Sequence, residues 1–292
     1  MRHWLQSQVP PLDDRPDVAE ALQLVEQLIE QDTEPDPEPG AAPLQRRIRK
    51  GGADRIVSVS DPEMRHGRKS KTKLFVGYKR HVIADADVPG LVVGVHIAPA
   101  NRREFDACGP LFSSAEGQGL ILTEVHADRG YLPSPELHER RQQGLVLISK
   151  PPTPQRRPGR FSKQDFEVLA DGTQVRCPAG RTVAVVNYQA AFPRKGCMGC
   201  PLTDRCLPKS GRRTVRLHKH EQFHRQMAAE LSTPAGRQQR RERVVVEHVL
   251  ARFGAVQGTK ARYCGLAKNL FHAKAVAVVA NLFVMRTQAE AA

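Results

Sequence analysis

The sequence predicts an α/β protein, a mixed β-sheet with helices on its faces, interrupted by a small cysteine-bearing module. Short apolar runs of strand length, bounded by glycine and proline turns, recur between residues 55 and 150. Helix-period patterns occupy residues 16–31, 134–143 and the C-terminal stretch from 233 onward. Between these blocks, residues 161 to about 225 are polar and hold four of the six cysteines.

Taken in order, residues 16–31 pattern as an amphipathic helix, with Pro16 suited to a first turn and Val18, Leu22, Val25, Leu28 and Ile29 at helical spacing. An acidic, proline-rich linker follows, DTEPDPEPG, with little that can pack. The basic tract RRIRK, residues 46–50, reads either as a phosphate contact or as a solvated linker. The alternating run 55–61 is the first expected strand of the sheet. LFVGYKRHVIAD (74–85) and LVVGVHIAPA (91–100), joined by Asp87-Val88-Pro89-Gly90, form an expected hairpin. Asn101 suits the N-cap of a helix reaching about Phe112. LILTEVHADRGY (120–131) is an apolar run that stops on Asp128, and a helix over 134–143 then leads to a last strand, 145–150. Beyond the module, helical spacing covers about 233–253 and 266–286. The expected division is 1–54 (acidic helix, linker, basic tract), 55–150 (first part of the sheet domain), 151–232 (cysteine-bearing insertion) and 233–292 (closing helices).

Charge is unevenly spread. The 292 residues carry +14, yet residues 1–43 hold ten acids against Arg2 and Arg15, leaving a strongly basic remainder. Such a surface points to a polyanionic partner, nucleic acid. The N-terminus lacks an apolar signal core, and the longest apolar run, 275–285, is interrupted by Asn281, so the chain reads as cytoplasmic with no membrane association.

Three acids suit one chemistry. Asp61 and Asp128 end strand-like runs, where open α/β sheets place their sites. Glu247 lies on a helical pattern, RERVVVEHVLARF, four residues after Arg243. Hard carboxylate ligands from separate elements are what two Mg²⁺ (or Mn²⁺) ions require for phosphoryl transfer. Lys79, Arg129, Arg243 and Lys260 are candidates for DNA phosphates, with solvated faces as the alternative.

Cys177, Cys197, Cys200 and Cys206, two of them in a C-x2-C pair, suit a closed structural Zn²⁺ site; an unmetallated remnant and a redox role stay open. Cys108 and Cys264 read as buried small residues. His220 and His224 read as a helix surface.

With those stretches in view, the chain resembles the DDE-domain transposases of bacterial insertion sequences, in the branch whose catalytic domain carries a cysteine-bearing insertion. The resemblance rests on SDPEMRHGRKSKTKLFVGYKRH (60–81), VHIAPANRREFDA (95–107), VHADRGYLP (125–133), CPAG with CMGCPLTDRC (177–206) and RRERVVVEHVLARFGAVQGTKARYCGLAKN (240–269), in that order. It implies an RNase H-like fold with its acids at Asp61, Asp128 and Glu247, and an Arg at 243 that steadies the carboxylate or binds phosphate. Related groups also carry a Tyr and a second basic residue where Arg240 and Gly254 stand here. The implied reaction is cleavage at element ends in double-stranded DNA, followed by strand transfer into a target, performed by a homo-oligomer. Family members begin with a DNA-recognition domain, so this chain reads as a shortened or split copy whose partner is a separately encoded N-terminal part. The rival readings are a non-catalytic DNA-binding remnant and a nuclease of the same fold.

Overall fold

The computed structural model describes residues 15–36, 45–49, 51–52, 54–70, 72–150, 152, 157–169, 172–208, 211–242, 244–258 and 260–291. They fall into two compact units, Met1–Ile121 with Val245–Ala292, and Leu122–Val244. Helix α1 spans Pro16–Asp32, with Pro16 in its first turn as expected. Part of the acidic linker is not free: β1, Thr33–Pro35, pairs antiparallel with β2, Arg46–Ile48, from the basic tract. Glu34 takes Arg47 at 2.7 Å, so the linker's own acid answers a charge that the sequence offered to phosphate.

Residues 55–61 are not a strand, which corrects the first element expected. The alternating pattern is there, but side chains satisfy the backbone in place of a ladder. The Gln31 amide donates to the Ile56 carbonyl and accepts from its N–H, and Ser58 Oγ accepts from the Asp61 N–H. The sheet instead starts with β3, Arg65–Arg68, and runs β3-β4-β5 antiparallel, with β4 at Leu74–Ala84 and β5 at Val92–Pro99. The β4–β5 hairpin fulfils the expectation. Its register pairs Ile83 with Gly94 but Ala84 with Val92, so Val93 is an extra residue. That bulge lets Val92 join Val95 and Ile97 on one face of β5 although the strand period alone would separate them. The helix expected from Asn101 begins later: a 3₁₀ turn at Glu104–Ala107 leads into α2, Cys108–Glu116, whose buried face carries Cys108, Leu111, Phe112 and Ala115.

In the second unit, β6, Glu124–Ala127, and β7, Val146–Ser149, pair in parallel, joined through α3, Pro135–Gln142. Ser134 caps α3 by accepting from the Leu137 N–H, with Pro135 at the first position. The cysteine-bearing stretch is a five-stranded antiparallel sheet ordered β12-β11-β10-β9-β8. Its strands are β8 Glu167–Val168, β9 Gln174–Arg176, β10 Thr182–Val186, β11 Gln189–Phe192 and β12 Arg213–Arg216. Asn187 and Tyr188, both at positive φ, make the two-residue turn between β10 and β11. Short helices α4, Arg194–Cys197, and α5, Thr203–Cys206, carry two of the cysteines, and Cys200 lies between them. Helices α6, Glu221–Glu230, and α7, Pro234–Glu242, complete this unit.

The chain then returns to the first unit as α8, Val244–Gln257, and α9, Leu266–Ala291. Val249 and Phe253 of α8 and Ala273, Val276, Ala277 and Ala280 of α9 close a core with Val92, Val95 and Ile97. Asn281 locks the packing where the bulge frees the backbone: it accepts from the Val92 N–H at 2.7 Å and donates to the Val92 carbonyl at 2.9 Å. The fold is mixed α/β, as expected, but among the described residues its strands form separate sheets and not one continuous sheet.

Candidate functional site

Asp61 is 3% exposed, which is costly for a carboxylate unless it is bonded. Its Oδ1 accepts the Tyr78 phenol at 2.6 Å, from the middle of β4. Burial, together with the bond to Asp61, pushes the Tyr78 phenol well above the usual tyrosine range, so Tyr78 keeps its proton and donates it in this bond. The Gly265 backbone bonds Tyr78 from the other side, and the next N–H, Leu266, donates to Glu63 Oε2 at 2.6 Å. The turn at Gly265–Leu266, which opens α9, therefore supports Asp61 through Tyr78 and holds Glu63 directly. Gly265 suits it twice over: φ is +89°, and a Cβ there would meet Glu63 Oε2 at 3.1 Å. Tyr78, Glu63 and Gly265 are site residues that sequence reasoning missed. All three lie inside stretches that carried the family resemblance, FVGY and SDPE among them, which was the available signal.

Asp128 stands at the C-terminal end of β6, as expected, in extended conformation at the entry to a 3₁₀ turn, Arg129–Tyr131. Its carbonyl accepts the Tyr131 N–H at 3.0 Å, and its side chain, like that of Arg129, is exposed. Glu247 lies in the first turn of α8, exposed, on the helix whose Val249 and Phe253 are core. Asp61 and Glu247 belong to the first unit and Asp128 to the second. Arg243 lies outside the described residues. Lys260 is exposed, while the Lys79 ammonium donates to the Arg102 carbonyl at 2.7 Å.

The four cysteines do gather. Cys177, Cys197, Cys200 and Cys206 line one small cavity of about 20 Å³ beside Phe161, Phe192 and Leu207. Burial, with the other three sulfurs nearby, pushes the Cys206 thiol up. Among the described residues no group of three or more His, Cys, Asp or Glu side chains is placed to hold a metal ion. The expected zinc site thus finds no support: apolar packing against the Phe166, Val175 and Phe192 core accounts for these residues as they stand. Cys108 is buried as expected, whereas Cys264 is exposed.

The histidine expectation is also corrected. His224 is buried and His220 stacks on buried His138 of α3, ring centroids 3.5 Å apart, while His218 lies 4.6 Å from His224. Burial lowers all four rings, His220 and His224 to about 4. They are neutral packing groups at neutral pH.

Residues 176–286 match the family model of the transposase DDE domain. The match takes in most of the cysteine-bearing sheet, α6 to α8, Glu247 and most of α9, and it supports a DDE transposase, an enzyme class that acts on DNA. It is consistent with use of a divalent metal. No curated protein and no solved structure matches the chain.

Proposed function

We propose that the chain is a DNA transposase of the insertion-sequence type, with an RNase H-like catalytic domain and a DDE triad of Asp61, Asp128 and Glu247. The observation that carries this reading is the transposase match over residues 176–286, which includes the helix bearing Glu247. Buried Asp61, oriented by Tyr78, is the kind of positioned carboxylate such a site uses. Three carboxylates form a donor set that fits Mg²⁺ or Mn²⁺ in its chemistry. Bound there, the ions would activate an attacking oxygen and stabilise the leaving one. The chain's own residues do the rest: Tyr78 fixes one oxygen of Asp61, Arg129 and Lys260 offer phosphate contacts from exposed positions, and Arg243 has the role of steadying the third carboxylate or binding phosphate. The strongly basic net charge favours association with double-stranded DNA.

In this reading the domains run 55–150 and 233–292 around an insertion at 151–232, and the protein works in the cytoplasm as a homo-oligomer on element ends and target. Nicking of supercoiled plasmid in Mg²⁺ or Mn²⁺ tests it. Wild-type nicking that Asp128→Asn abolishes is the expected result; DNA binding with no metal-dependent nicking would leave the chain a binding remnant, and cleavage without strand transfer would make it a nuclease.

A further inference from the structure

The start of the acidic linker and the basic tract, which read in sequence as separate segments, are folded against each other. The β1–β2 ribbon sets Glu34 opposite Arg47 and Thr33 opposite Ile48. The two oxygens of Glu34 serve two arginines: Arg47 Nε donates to Oε1 at 2.7 Å, and Arg49 Nε lies 3.6 Å from Oε2. Asp32 takes Arg55 at 2.6 Å, and the Arg46 guanidinium donates to the hydroxyl and the carbonyl of Thr33 at 2.6 and 3.2 Å. Four arginines are thus turned onto three consecutive residues, 32–34. A carboxylate shared between guanidinium groups stands where the oxygens of a phosphate would stand. The arrangement is weak by construction. Arg47 and Arg49 are still 56% and 49% exposed, exposed ion pairs contribute little each, and a ribbon of two three-residue strands has little stability of its own.

We propose that this ribbon is an autoinhibitory cover: Asp32 and Glu34 occupy the arginines of the 46–55 tract in place of DNA phosphates, and duplex DNA must displace them to use that tract. Charge density decides the exchange. A duplex carries about one negative charge per 1.7 Å of its axis and releases counterions as arginines bind, whereas the ribbon brings two carboxylates to four arginines. The segment that supplies them holds ten acids against Arg2 and Arg15 over residues 1–43, which in a chain of net charge +14 concentrates the one charge that competes with DNA. The cover also reaches toward the candidate site. Gln31, next to Asp32, holds both backbone groups of Ile56, in the run that ends on Asp61.

This inference rests on the DNA-acting reading above, and binding without catalysis tests it. Fluorescence anisotropy follows the full chain on a labelled random-sequence duplex across a salt series. Asp32→Asn combined with Glu34→Gln should bind about tenfold more tightly than wild type at low salt, a gain that shrinks as salt screens the pairs. Glu20→Gln combined with Glu30→Gln, at exposed acids of α1, makes the same change of net charge and should gain only a small fraction of that. A lock gives the opposite sign with every ion pair kept. In a Cys264→Ser background, Thr33→Cys combined with Ile48→Cys, which face each other across the ribbon, should close a disulfide with oxidised glutathione. The two thiols give up two electrons and two protons, which leave as two molecules of reduced glutathione. The closed form should bind the duplex about tenfold less tightly than wild type, and dithiothreitol should restore binding. Equal tightening by the two charge variants, no tightening by the first, or a locked ribbon that binds as well as the reduced one would overturn the proposal. Wild type that binds the duplex and is indifferent to all these changes sinks the cover and leaves the transposase reading in place; a chain that binds no duplex in any form sinks both.

Discussion

The core under α9 and the core of the cysteine-bearing sheet are built on opposite terms. In the first, a long helix, an eight-residue strand and α8 bring branched and aromatic side chains together over many turns. In the second, strands of two to five residues surround Phe166, Val175, Ala190, Phe192 and Val215, and arginines finish the job: Arg213 lies over the Phe166 ring at 5.0 Å and Arg205 over Phe161 at 4.4 Å. Length supplies cooperativity in one case, and a few fully buried rings with cationic lids supply it in the other. A polar stretch can therefore gather a core around a few buried rings.

The largest effect that would break this comparison is loss of one ring from each core. Phe253→Ala and Phe166→Ala should each cost about 3–5 kcal/mol, since both side chains are fully buried. Hydrogen exchange should show Phe166→Ala releasing amides of β8 to β12 while those of β4 and β5 stay protected. Equal release in both units would mean that the two cores do not stand separately.

A smaller loss should follow Tyr78→Phe. It strips a buried carboxylate of its phenol at the edge of the first core and should lower stability by about 1.5–3 kcal/mol in denaturant titration. An unchanged midpoint would show that Asp61 is satisfied without Tyr78.

Acid should sharpen the contrast further, with the least effect of the three at mildly acid pH. His138, His218, His220 and His224 are all held neutral in the folded second unit, His220 and His224 down to about 4, against the ordinary 6.5 of an unfolded chain. The unfolded state thus takes up protons first, so stability is full above 6.5 and declines as pH falls toward 4. Lys163, Lys219, Arg141 and Arg225 surround the cluster, with Glu221 as the acid that faces them, so no added proton is welcome. The first unit holds His81 in the same state and His96 lowered as well, fewer rings in all, and should lose less over that interval. Equal acid sensitivity of the two units would contradict this.

The same contrast explains what could be read in advance. The hairpin 74–100, helix α3 and the two C-terminal helices were legible because period and turn chemistry agree over many residues. The run 55–61 misled because alternation cannot tell a ladder from a segment whose backbone is claimed by Gln31 and Ser58. Strands as short as Glu167–Val168 leave no period to count. At the site, Asp61 was legible as an acid ending a run, but its partner Tyr78 lies seventeen residues away on β4, a distance only pairing can close.

The most direct test of the central claim is plasmid nicking in Mn²⁺ by wild type beside Asp61→Asn, Asp128→Asn and Glu247→Gln, each checked for native folding. A transposase of this kind predicts that wild type nicks and that each single change abolishes nicking. Nicking that survives any one of the three in a folded protein would contradict the triad.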